Sequence, residues 1–209
     1  MSGCFITFEG VEGVGKSTQV ARLEEALLAR GLDVLVTREP GGTPLAEQIR
    51  ALVLHHRGEA LPDAAELLLM FAARAVHTEN LIRPALQRGA FVLCDRYTDA
   101  TYAYQGGGRG IADALIDPLA TLAQRGLWPQ CTILLDAPIA PALQRARARA
   151  GKTDRIEGET LAFFERVRAR YLARAAAAPE RIQVVDATGT PEVVGARIWA
   201  VVRPLWGAM

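Results

Sequence analysis

Five short apolar runs punctuate the chain: residues 4–10 (CFITFEG), 33–40 (DVLVTREP), 90–97 (AFVLCDRY), 130–138 (QCTILLDAP) and 181–189 (RIQVVDATG). Their length and β-branched content read as strands. Between them the period changes to three and four residues. Val20, Leu23, Ala26 and Leu27 mark one helix stripe, Leu67, Leu68 and Phe71 a second, and Leu161, Phe164, Val167 and Tyr171 a third. Strand and helix alternate, and the strands are apolar on both faces, which predicts an α/β fold with a five-stranded parallel sheet flanked by helices. Right-handed crossovers would then bring every strand's C-terminal end to one edge, where ligands of open α/β sheets bind. The alanine-rich tract 173–178 reads as a helix end before Pro179, and no internal repeat or long linker divides the chain, so a single domain over 1–209 is expected.

Composition narrows the class of partners. Half of the 209 residues are hydrophobic, 22% are charged, and 24 basic against 23 acidic residues leave a formal net charge of +1. No field suited to nucleic acid or an anionic membrane follows from such a balance, so any site for a polyanion must be local. Cys4, Cys94 and Cys131 are odd in number, widely spaced and set in apolar runs. They read as reduced buried thiols, which points to the cytoplasm. No run reaches the roughly 18 to 20 apolar residues of a membrane span, and neither export nor insertion is indicated.

The strongest chemical signal follows the first strand. Gly10, Gly15, Lys16 and Ser17 fit G-x-x-x-x-G-K-[ST], with a strand before and a helix after. In this arrangement the segment Gly10, Val11, Glu12, Gly13, Val14, Gly15, Lys16, Ser17 and Thr18 turns successive backbone N–H groups and a helix N-terminus towards a phosphate chain. Lys16 would meet the terminal phosphates, and the Ser17 hydroxyl would ligate Mg²⁺. Lys16 is one of only two lysines among 24 basic residues. A chain so biased towards arginine keeps lysine here because a compact point charge fits where a planar fork would not.

Further candidates sit at the ends of other strands. Asp95 is placed for a magnesium-bound water or for orienting a phosphate acceptor, and Arg96 for a bidentate phosphate contact. Thr101, Tyr102, Tyr104 and Gln105, before a glycine-rich turn 106–108 and Arg109, supply the mixed lining of a nucleotide pocket. Residues 37–50 add Arg38, Glu39, a tight turn and Arg50 on a helix; on the helix 66–77, Met70 or Phe71 lies near Arg74, so that a base could stack while guanidinium donors read its edge. Leu67 and Leu68 read as core, and His55, His56 and His77 as surface or local hydrogen-bonding residues. The arginine-dense stretch 144–159 carries Arg145 and Arg149 on one helical face, then Gly151, Lys152 and Arg155. It suits a flap, about 144–157, that closes on a migrating phosphoryl group.

The combination of FEGVEGVGKST, TREPGGTPLAEQIR, LMFAAR, DRYTDATYAYQGGGRG and RARARAGKTDRIE, spread from the first strand to the last, resembles the bacterial thymidylate kinases. The resemblance implies transfer of the ATP γ-phosphoryl group to dTMP, giving dTDP, on a P-loop NTPase fold with a lid, in a homodimer; Mg²⁺ is expected from the P-loop serine, and the charge balance argues against nucleic acid or membrane as a partner. It further implies Glu9 near the deoxyribose 3′-hydroxyl, Arg96 on the acceptor phosphate with Arg38 or Glu39 nearby, and Arg74 with Gln105 reading thymine. Tyr102 would crowd the position of a ribose 2′-hydroxyl, and adenine would rest near Ala187 and Thr188. Some members of the family carry a catalytic arginine in the P-loop and others in the lid. Glu12 stands at the corresponding P-loop position here, which implies the lid, with Arg149 first and Arg155 second. The lid is one residue longer than in related sequences, and Met70 stands where the family's base-stacking Phe is expected, with Phe71 displaced by one.

Overall fold

The structure, a computed structural model, describes residues 3–55, 58–149 and 155–206, with the side chains of Arg149 and Trp206 outside that description. Five strands, β1 (Cys4–Glu9), β2 (Val34–Arg38), β3 (Phe91–Asp95), β4 (Cys131–Asp136) and β5 (Ile182–Asp186), form one parallel sheet in the order β2-β3-β1-β4-β5. Each falls within a run predicted from the sequence. β1 lies at the centre and is buried along its whole length, with Phe5, Ile6 and Phe8 fully enclosed. The strand order reverses beside it, and the register pairs Phe8 with Asp95 and Asp95 with Arg38. The C-terminal ends of β1, β2 and β3 therefore finish level, bringing the first strand's glycine loop beside Asp95 and Arg96.

The helices that matter for this edge are α1 (Lys16–Leu28), α2 (Pro44–Leu54), α3 (Asp63–His77), α4 (Arg83–Gln87), α5 (Thr98–Thr101), α6 (Asp113–Gln124), α7 (Ile139–Arg149), α8 (Leu161–Ala177) and α9 (Pro191–Trp206). Their boundaries have local causes. Thr43 caps α2 by accepting from the Ala46 N–H (3.3 Å), with Pro44 at the first helical position, and Thr160 caps α8 by accepting from the Phe163 N–H (3.2 Å). Helix α8 ends at Ala177 within the alanine tract. Residues Tyr102–Gly108, expected to end in a turn, instead wind as a wide π-helical segment directly after α5. The glycines there serve packing: a Cβ on Gly107 would come within 2.6 Å of the Arg170 Cβ, and one on Gly108 within 2.5 Å of the Phe163 ring. Without them α8 could not lie so close.

The apolar stripes hold with three exceptions. Val20, Leu23, Leu27, Phe164, Val167 and Tyr171 are buried, whereas Ala26 is half-buried and Leu161 is exposed at the first residue of α8. Leu67 is core, but Leu68, expected beside it, is 57% exposed, because the next position on the helix points away from the seam between α3 and α6. All three cysteines are free and buried, and burial pushes the Cys4 thiol up to about 11. No helix among the described residues is long and apolar enough to cross a membrane. His56, Ala150, Gly151 and Lys152 lie outside the described residues.

Candidate active site

The loop after β1 runs through Gly10, Gly13 and Gly15, all at positive φ (128°, 77° and 103°), and delivers Lys16 to the start of α1. Gly13 also lies against α7, where a Cβ would stand 1.8 Å from the Ala142 carbonyl oxygen. Lys16 folds back inside the loop and donates to the carbonyls of Gly10 (3.1 Å) and Val11 (3.0 Å). Burial and the neighbouring Arg96 bring its ammonium down to about 8, despite the opposing pull of Asp95, Glu12 and Glu9. A bound anion would reverse that pressure.

Two recesses flank this loop. One, of about 330 Å³, takes Glu12, Lys16 and Ser17 from the loop and α1, Asp95 and Arg96 from the end of β3, and Tyr104 and Gln105 from the π-helical segment. Arg38, Glu39 and Arg50 line it from β2 and α2, Met70 from α3, and Ile156 and Glu157 from the segment before α8. The other recess, of about 400 Å³, lies between Gly13, Val14, Gly15 and Thr18, the α7 residues Arg145 and Ala148, and Ala187 and Gly189 after β5. Thr188 stands exposed beside it, its hydroxyl donating to Asp186 (2.6 Å).

Glu12 and Arg96 join the P-loop to the wall of the first recess. The Glu12 carboxylate accepts from Arg96 Nη2 (2.8 Å) and from the Tyr104 hydroxyl (2.8 Å), while Arg96 Nη1 donates to the Gly10 carbonyl (2.7 Å) and its guanidinium stacks 4.8 Å from the Tyr104 ring centroid. Arg96 has a left-handed backbone, φ 72°, rare for a residue with a side chain, and its N–H is anchored to the Phe8 carbonyl (2.9 Å). Asp95 keeps one buried carboxylate oxygen, Oδ1, without a protein partner. No cluster of three metal-ligating side chains is present among the described residues. Magnesium is commonly held by one or two protein oxygens together with substrate phosphates and water, and the Ser17 hydroxyl and Asp95 Oδ1, lining one cavity, fit that mode.

Other expected site residues lie elsewhere. Glu9 does not line the cavity: its fully buried carboxylate accepts from the Tyr97 N–H (2.8 Å) and the Tyr171 hydroxyl (2.6 Å). Strand alternation turns it into the protein, and Glu12 is the carboxylate the cavity offers instead. Burial and Asp99 push Glu9 up to about 7, against the effect of Arg96, Tyr171 and the Tyr97 amide. Tyr102 also points away, donating to Asp117 on α6 (2.6 Å), with Arg174 over its ring at 3.7 Å. Tyr104, two residues on and facing the other way, takes the cavity wall. Met70 lines the cavity, whereas Phe71 packs in the core with Leu67 and Ile116 and lies under the Arg74 guanidinium at 4.9 Å.

Arg74 and Thr101 stand one layer behind the wall. Arg74 is almost fully buried and donates to Glu39 (2.7 Å), Thr101 (3.0 Å) and the Tyr97 carbonyl (3.0 Å). Glu39 is also bonded to His77 (2.9 Å), whose other ring nitrogen meets Thr37 (2.7 Å), so His77 is a buried brace between distant elements. Burial would raise the Glu39 carboxyl, but Arg74 and His77 outweigh it and hold the group below the usual range. Arg38 is exposed and paired with Glu47 (3.1 Å), and Arg50 donates to the Pro40 carbonyl (2.8 Å). Arg155 bonds the Val53 carbonyl (3.1 Å) and Glu66, turning its guanidinium towards α2 and α3.

Two buried carboxylates escaped the sequence reading. Asp99 is held by Arg174 (2.7 Å) and Arg181 (2.6 Å), partners too far along the chain to be paired from spacing. Glu66 bonds Gln105 (2.7 Å) as well as Arg155. It had a visible signal, standing four and eight residues before Met70 and Arg74 on the same helical face.

Comparison with known proteins agrees over nearly the whole chain. The family model for thymidylate kinase matches residues 8–198. The thymidylate kinase of Chromohalobacter salexigens is 57% identical over 95% of this chain and 94% of its own, and that of Pseudomonas putida strain GB-1 is 55% identical over 93% and 92%. A crystal structure of thymidylate kinase from Ehrlichia chaffeensis superposes with a TM-score of 0.79 at 32% identity, covering 97% of this chain and 100% of that one. With its P-loop, parallel sheet and paired recesses, this chain belongs to the thymidylate kinase family.

Proposed function

We propose that this kinase transfers the γ-phosphoryl group of ATP to dTMP, releasing dTDP and ADP. The observation that carries the reading is the pair of recesses meeting at one phosphate-binding loop. ATP would lie with its adenine near Ala187 and its phosphates in the P-loop. The deoxynucleotide would fill the cavity lined by Arg96, Met70, Tyr104 and Gln105. Lys16 would leave the Gly10 and Val11 carbonyls for the terminal phosphates, Arg96 would hold the acceptor phosphate in line, and Glu12 would face the sugar. No covalent enzyme intermediate is required, because positioning and charge neutralisation carry phosphoryl transfer. Mg²⁺, held by Ser17 and Asp95 with the donor phosphates, would supply charge neutralisation between them. Arg149, at the end of α7, is the first candidate for the cation that closes on the migrating group, and Arg155 would need to leave Glu66 to serve.

The chain would act in the cytoplasm, consistent with three unpaired buried thiols, and as a homodimer, consistent with the exposed Leu68, Leu115 and Leu122 on α3 and α6. An acceptor screen with ATP, Mg²⁺ and each of dTMP, dUMP, CMP and AMP tests the reading. Rapid ADP formation that requires dTMP is expected. Equal turnover with another monophosphate would reassign the acceptor, and ATP hydrolysis indifferent to any acceptor would remove the phosphotransferase assignment.

A further inference from the structure

Glu66 is 1% exposed on its side chain, yet it is a carboxylate in an otherwise apolar helical run. Burying a charge is expensive unless every lone pair is used, so such a group is held in place by specific partners. Here those partners come from two different parts of the site. One oxygen accepts from the Gln105 side-chain amide (2.7 Å), and the other from Arg155. Arg109 approaches within 3.5 Å and is itself paired with Glu159 and Asp63. Arg155 is docked by its backbone N–H on the Leu54 carbonyl (3.1 Å), so the turn before α8 is fastened to α2 and α3 through this corner.

The chemistry of the Gln105 contact is directional. A carboxylate between guanidinium groups can only accept, so Gln105 must give it the NH₂. That leaves the amide oxygen, which is buried, lacks a protein partner and belongs to a side chain lining the acceptor cavity. The cavity thereby presents an acceptor to a ligand N–H. The ring imide of a thymine is such a donor, whereas cytosine carries a lone pair at the same ring position.

We propose that Glu66 is a positioning residue that fixes the Gln105 amide with its oxygen towards the acceptor base and, through Arg155, ties that orientation to the placement of the Arg155–Glu159 turn. Base recognition and docking of the turn are then one equilibrium: a base that engages Gln105 firms the same carboxylate that holds Arg155. This rests on the dTMP kinase reading above.

Wild-type turnover of dTMP is measured first, and its absence would defeat that reading before Glu66 is addressed. Given turnover, Glu66→Gln places an NH₂ against one of two donors and frees the Gln105 amide to turn over. The KM for dTMP should rise about tenfold while the KM for ATP stays within about twofold, and the preference for dTMP over dCMP should fall about tenfold, corresponding to one lost directional hydrogen bond. Hydrogen exchange of residues 155–160 should slow on adding dTMP without ATP in the wild type and not in Glu66→Gln. Combining Glu66→Gln with Arg155→Ala should cost little beyond either alone. Equal changes in both KM values, an unaltered dTMP preference, exchange protection that survives the substitution, or independent effects of the two variants would each overturn the proposal. Should Glu66→Gln fail to fold, Gln105→Ala tests it from the other end, because dTMP should then no longer protect the turn although Glu66 and Arg155 are intact.

Discussion

Replacing Glu9 with glutamine isolates one buried proton. The carboxyl is fully enclosed and pushed up to about 7 from an ordinary value of 4.5. Between those two values the folded chain holds a proton that the unfolded chain has released, so stability falls as pH rises, by about 1.4 kcal/mol per unit. The contribution is complete below about 4.5 and is lost as pH passes 7, about 3 kcal/mol over the window. Glutamine has the same shape and no proton to lose, and its amide oxygen can still accept from the Tyr97 N–H. Urea unfolding of both proteins at pH 5, 6, 7 and 8 measures the difference. With a slope of about 2 kcal/mol/M, the variant's midpoint should gain on the wild type by about 1 to 1.5 M between the lowest and highest pH. A difference that stays constant across the range would refute the reasoning, since it would mean that Glu9 is ionised in the folded protein throughout.

Lys16→Ala should leave a folded protein, judged by an unchanged circular dichroism spectrum, with turnover reduced at least a thousandfold; normal activity would remove the phosphate-cradle role. Tyr104→Phe should raise the KM for dTMP severalfold by releasing Glu12, whereas Tyr102→Phe should leave that KM within about twofold and lower the melting temperature by a few degrees through loss of the Asp117 bond. The opposite pattern in steady-state kinetics would restore Tyr102 to the cavity.

What the sequence made legible was whatever depends on local pattern. The five strands, the start of α1 at Lys16 and the glycine loop are consequences of periodicity and fixed spacing, and they fall where expected. Side-chain direction at the ends of elements was less accessible. Glu9 and Glu12 are three residues apart, yet strand alternation buries one and the loop exposes the other to the cavity. Tyr102 and Tyr104 are divided by a π-helical winding that no short motif announces. Met70 and Phe71 are separated by the rotation of a single helical residue, which carries one to the cavity and the other to the seam with α6. The buried ion pairs of Asp99 depend on arginines 75 and 82 positions away, and only the closed fold brings them together.

The contact between Gly13 and the Ala142 carbonyl bears on where positive charge can originate. Val11 and Val14 are committed to the core, Glu12 is tied down by Arg96 and Tyr104, and at Gly13 even a methyl group would collide with the α7 backbone. Between Gly10 and Gly15 the first loop thus carries no cationic side chain of its own. A guanidinium that closed on the reacting oxygens, as proposed for Arg149, would be lent by a distant stretch of polypeptide, and the finished catalytic centre would then exist only while two remote parts of the molecule are held together.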